Sequence, residues 1–116
     1  MAASTYVTIT SLRLKSPLRF FLLSFLAMKI IGQLKNNSAC KQYKSRGFWT
    51  MHYTMSLWTD LPALKTFARE GAHLNGMRQS KKLATEIKTY TFTAEKLPAW
   101  REAKMLLHEH GKVFTF

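Results

Sequence analysis

Histidine is the one side chain whose ordinary charge change falls near neutral pH, and this sequence has four of them. His108 and His110 lie two apart in a stretch with helical periodicity, so their side chains diverge by about 200° and cannot share a metal. They read as residues of a helix C-terminus, where positive charge is favourable. His52 lies in a run that alternates like a strand, on a face of small polar groups and aromatics. His73 follows Gly71 and Ala72, whose small side chains leave room for a flat ligand. Tyr53, next to His52, is a further candidate proton carrier. The carboxylates of the central half, Asp60 and Glu70, read as helix-terminal residues. No zinc spacing, paired-carboxylate constellation or glycine-rich phosphate loop is present, and nothing links a serine to a base. Cys40 is the only cysteine, which excludes an internal disulfide and fits a reducing compartment. It reads as a small, partly buried residue rather than a nucleophile.

The elements that must position these groups are bounded by length and charge. A chain of 116 residues predicts one domain over 1–116 with a core large enough to fold without disulfide or metal. Lys and Arg number 18 against 6 Asp and Glu, a net charge of +12. That charge attracts nucleic acid, anionic lipid or acidic ligands. The cations are spread from Arg13 to Lys112 without a long block, so they read as a solvated surface, and nucleic acid is disfavoured as a partner. The first residues carry no charged n-region and no clean cleavage site follows, which predicts no signal peptide and a cytoplasmic protein. Leu18 to Leu34 is the most apolar run. Arg19 and Lys29 interrupt it, and a bilayer-spanning helix wants about 20 predominantly apolar residues. It is read as a buried helix with no transmembrane span. A peripheral membrane contact stays open.

Tyr6 to Leu14 alternates and is rich in β-branched residues, a strand. Ser16 and Pro17 start a helix to about Leu34. Its polar strip is so narrow that more than one neighbour must cover it, a ligand or a partner subunit included. Asn36-Asn37-Ser38 is a turn, Ala39 to Lys44 a short irregular strand, and Ser45-Arg46-Gly47 the next turn. Phe48 to Trp58 is the clearest strand. Trp49, Met51, Tyr53, Met55 and Leu57 form an apolar face that should lie under helices. Phe48, Thr50, His52, Thr54, Ser56 and Trp58 share a mixed face suited to a partner's sheet or a wet cavity. Asp60 and Pro62 begin a second helix, with a shorter helical piece from His73 to Leu83. Glu86 to Thr93 is the fourth strand. Pro98 opens a last helix that Gly111 closes as a left-handed cap, and Val113 to Phe116 forms an apolar tail. The order β-α-β-β-α-β plus a helix is the split βαβ arrangement: α+β, ferredoxin-like, with an antiparallel sheet and an extra C-terminal helix.

The segment Tyr53-Thr54-Met55-Ser56-Leu57-Trp58, followed by Ala63-Leu64-Lys65-Thr66-Phe67-Ala68 and then His73, resembles the antibiotic-biosynthesis-monooxygenase-like group of dimeric α/β barrels. Within that group it is most similar to spheroidene-monooxygenase-like proteins, whose pattern reads Ser-x-Trp, Phe-Ala, then His. The resemblance implies a homodimer. It implies that Trp58 ends its strand at a pocket rim, that Phe67 lies beside the ligand, and that His73 is similar to the histidine holding haem iron in the haem-using members. The Phe67 to His73 spacing is shorter than in haem-degrading members. The first strand offers Thr8, Thr10 and Ser11 where those members carry an asparagine, so haem degradation itself is not implied.

Two functional readings follow, and the sequence leaves both open. One is a small monooxygenase-like oxidoreductase acting on an apolar or polycyclic substrate in a pocket between sheet and helices. It uses either haem on His73 or no cofactor at all, with His52, His73 or Tyr53 carrying protons. The other is a non-catalytic ligand-binding or interaction module on the same dimeric fold. Nucleic-acid or anionic-membrane binding is a third reading, prompted by the charge. Three tryptophans, four tyrosines and eight phenylalanines favour an apolar or flat ligand if they line a pocket.

Overall fold

The computed structural model describes residues 5–68, 78–79 and 82–115. Strand β1 (Tyr6–Leu14) leads through a single 3-10 turn at Pro17–Arg19 into helix α1 (Phe20–Lys35). Strands β2 (Cys40–Phe48) and β3 (Met51–Trp58) follow, then helix α2 (Leu61–Ala68), strand β4 (Ala84–Thr93), helix α3 (Trp100–His110) and strand β5 (Lys112–Thr115). The sheet order is β2-β3-β1-β4-β5, every neighbour antiparallel. This is the ferredoxin-like α+β arrangement, with the C-terminal tail added as an edge strand rather than left loose.

Alternation in β1 sorts its side chains onto two faces. Val7 and Ile9 point toward α3 and are packed there with Met55, Leu57, Ala103 and Leu107. The other face carries Thr8, Thr10 and Leu12. Thr8 pairs with Thr91 and their hydroxyls lie 2.9 Å apart; Thr10 and Thr89 lie 3.4 Å apart. A second, smaller apolar cluster forms on this side, where Leu26 of α1 meets Leu14, Leu83 and Ala84. Helices α1 and α2 therefore share the mixed face, and the C-terminal helix takes the apolar one.

Several local readings are corrected. Ser45, Arg46 and Gly47 are not a turn but the last part of β2, paired with β3 from Phe48↔Met51 back to Cys40↔Trp58, with a bulge between Cys40 and Gln42. The reversal is the two residues Trp49 and Thr50. Trp49 turns the chain with a left-handed backbone, φ 55°, and so leaves the strand face assigned to it. Few bulky residues adopt that conformation, so sequence gave no turn signal there. Gly111 is extended rather than left-handed, φ −64°; its N–H donates to the Leu107 carbonyl at 2.9 Å. A side chain at 111 would collide with that carbonyl, so glycine is required by close approach. Ser16 makes no side-chain cap, whereas Asp60 Oδ1 accepts from the Ala63 N–H at 3.3 Å and starts α2 as expected. The helical piece proposed from His73 to Leu83 lies largely outside the described residues.

The largest correction concerns α1. Leu26 is its only buried residue, and the helix exposes Phe20, Phe21, Leu22, Phe25 and Met28. An apolar circumference predicts burial, yet the sheet covers only the arc around Leu23 and Leu26.

Candidate functional site

The mixed face of β3 and the inner side of α1 enclose a cleft of about 660 Å³, within the size range of small-molecule sites. Its walls are Leu12, Pro17, Phe20, Leu23 and Ala27, with Arg46, Trp49 and His52 at the β2–β3 end. Thr10 and Thr54 supply hydroxyls from the sheet.

His52 is the base of this cleft. It pairs across the strands with Gly47, and a side chain at 47 would run into its ring. Glycine therefore lets the imidazole lie flat against β2. The other side of the ring stacks on Phe20, centroids 5.5 Å apart and planes 28° from parallel. His52 Nε2 is buried with no hydrogen-bond partner among the described residues. Burial pushes its pKa below the ordinary 6.5, while a backbone hydrogen bond at Trp49 pulls weakly the other way. The ring is thus neutral at pH 7, and Nε2 is an unpartnered nitrogen covered from water in a residue that lines the cleft. A buried polar atom left unpaired costs about 1–3 kcal/mol, so its persistence calls for an occupant or a role.

The remaining candidates fall elsewhere. Tyr53 sits on the opposite face, its ring 4.9 Å below Lys104 Nζ, where it borders a second cleft of about 190 Å³ with Arg13, Lys88 and His108. Trp58 does end β3, but it is fully buried, donates from Nε1 to Ser56 Oγ at 2.7 Å, and packs on Phe67 at 5.2 Å between centroids. Gln33 of α1 donates to the Phe67 carbonyl at 3.3 Å, tying the two helices together at this point. The structure brings Trp58 and Phe67 together and sends the side chains of His52 and Tyr53 to opposite faces of β3, although both residues border the first cleft. His73 lies outside the described residues. Haem is not supported by what is described: Phe67 and Trp58, the residues expected beside it, present their rings to each other rather than to a cavity. Among the described residues no group of three His, Cys, Asp or Glu side chains converges on a metal site. Burial raises the Cys40 thiol above its ordinary pKa, partly opposed by its contact with the Gln42 carbonyl, so it is no activated nucleophile.

Sequence reasoning found His52 but missed its partners. Arg46 and Gly47 carry turn chemistry, and Phe20 lies in an apolar run that predicts core. The detectable signal was the glycine opposite a histidine, visible only once the strand register is known.

No protein-family model matches the sequence, and no curated protein matches it significantly. Solved structures do. Protein SO0527 from Shewanella oneidensis superposes with a TM-score of 0.72 at 15% identity, covering 80% of this chain and 93% of that one. SnoaB, a cofactor-independent oxygenase from Streptomyces nogalater, gives 0.65 at 14% identity over 82% and 97%. A putative antibiotic biosynthesis monooxygenase from Chloroflexus aurantiacus gives 0.65 at 11% over 83% and 98%. The chain thus has the fold of monooxygenase-like proteins, and at these identities the likeness is one of fold.

Proposed function

We propose that this protein is a small cofactor-independent oxygenase for a flat, apolar substrate carrying an acidic C–H or O–H, working as a homodimer with His52 as its base. The observation that carries the reading is the unpartnered Nε2 of His52, a residue that lines an apolar cleft. A neutral imidazole there can take a proton from a bound substrate. Phe20 and the walls of α1 hold the rings. The imidazolium that forms stays beside the substrate anion and stabilises it. The substrate anion passes one electron to O₂, the radical pair joins in a C–O bond to give a peroxide, and its O–O bond breaks to leave a carbonyl on the substrate and one water, so the chain's task is binding and deprotonation. The monooxygenase-like fold supports this, as does the presence of a cofactor-independent oxygenase among the structural neighbours.

The alternative is a binding module without turnover, favoured by the absence of an acid beside His52 in the described cleft lining. The experiment is O₂ uptake with a polycyclic hydroxyaromatic such as an anthrone, alongside calorimetric binding and mass by light scattering. Uptake that falls at least about a hundredfold in His52→Gln, with binding kept, supports the oxygenase. Tight binding with no uptake in the wild type makes it a binding module. No binding at all discards both.

A further inference from the structure

We propose that the outward side of α1 docks on an anionic phospholipid surface, with the helix lying in the plane of the membrane and Trp49 as a second anchor. On a helical wheel, Leu18 continues into one exposed arc with Phe21, Leu22, Phe25 and Met28, at spacings of three and four. Leu18 is 77% exposed, Phe21 and Met28 each 73%. A soluble surface scatters such residues singly; a contiguous stripe of them marks a docking surface. Trp49, 71% exposed at the β2–β3 turn, borders the same cleft as Phe20 and Phe21, so it lies at the same end of the molecule.

Charge selects the occupant. Every Asp and Glu of the sequence lies at or beyond Asp60, whereas Arg19, Lys29 and Lys35 lie on the α1 segment itself. Within the stripe, Lys29 folds its Nζ over the Phe25 ring at 4.5 Å, its stem along the apolar surface and its charge free at the edge. An apolar helical face edged with Lys and Arg is the pattern of interfacial membrane binding. A second copy of the chain fits poorly, because two such faces would oppose like charges, and α1 itself carries no carboxylate to pair them. Nucleic acid would use the cations and leave the stripe in water. The segment Pro17–Lys35 is long and apolar enough to cross a bilayer by length and composition. However, its inner arc is committed to the sheet through Leu26 and Leu23, and Gln33 is bonded to the α2 backbone. A spanning helix would have to abandon these contacts. The proposal stands independently of any catalysis at His52.

The test is co-sedimentation of the full chain with phosphatidylcholine vesicles and with phosphatidylcholine–phosphatidylglycerol vesicles, the mass of the free protein being measured in parallel. The proposal expects pelleting with the anionic vesicles only, reversed by high salt. It expects at least about a tenfold loss in the triple variant Leu18→Ser/Phe25→Ser/Met28→Ser, whose positions are exposed, and a smaller loss in Lys29→Glu. Equal pelleting with neutral vesicles, pelleting that resists salt, or no pelleting of the wild type overturns it. So does a triple variant that pellets normally, or one whose only change is conversion of a dimer to a monomer, which would assign the stripe to a second copy.

Discussion

The two faces of the sheet are built from the same strands and behave as different materials. Toward α3, Val7, Ile9, Met55 and Leu57 interlock with Ala103 and Leu107 and leave almost no surface to water. Toward α1, the strands present threonines and His52, Thr54 and Thr91 stay exposed, and the helix above touches the sheet mainly through Leu23 and Leu26. The difference lies in which element answers each face. α3 brings an amphipathic stripe to an apolar surface. α1 brings an apolar helix to a polar one, so the fit is incomplete and a cleft remains. One face holds the fold together, and the other has room for chemistry.

The widest gap between the faces should appear in stability. Ile9→Ala removes a fully buried side chain and is expected to cost about 2–5 kcal/mol, while Thr54→Ala, on the same sheet but facing the cleft, stays within about 0.5 kcal/mol. Equal costs in urea titrations would mean that the cleft face is packed after all. The same contrast recurs within α1 on a smaller scale. Leu26→Ala should cost about 2 kcal/mol and Phe25→Ala less than about 0.5 kcal/mol, read from thermal unfolding. Were Phe25 the costlier loss, its side would be the buried one.

The smallest effect is the most specific to the cleft. Gly47→Ala displaces the His52 ring, so the ring's pKa, followed by NMR, should climb back toward 6.5. In the parent protein the depressed value has a sign that can be worked out. Below 6.5 the unfolded chain takes up a proton that the folded His52 resists. Its contribution to stability is therefore complete above pH 6.5 and declines as the pH falls toward the folded value. That slope should flatten in Gly47→Ala.

Much of this architecture was legible because period-two alternation is a direct imprint of a sheet with unlike faces. β1 was read to the residue, Tyr6–Leu14, and the two faces of β3 were sorted correctly from Met51 onward. β2 was half missed, since Ser45, Arg46 and Gly47 carry turn chemistry yet pair with β3. Local composition cannot see a glycine kept to make room for a ring on the next strand. The exposure of α1 was illegible for a related reason. Helix hydrophobicity records what the helix needs covered, whereas coverage is decided by the size of the sheet beneath it. His52 could be named from its strand position, but its cleft is a product of Phe20, Arg46 and Gly47 arriving from other elements.

The hairpin tip has an optical consequence. Trp58 is sealed inside and Trp100 is half-covered, so Trp49, held outward by its left-handed backbone, is the tryptophan that meets bulk water. Its emission should be the reddest of the three and the most readily quenched by acrylamide. The red edge of the emission, or the acrylamide-quenched difference spectrum, would then isolate one residue at the mouth of the cleft, giving the molecule an intrinsic fluorophore that registers whatever arrives there without any attached label.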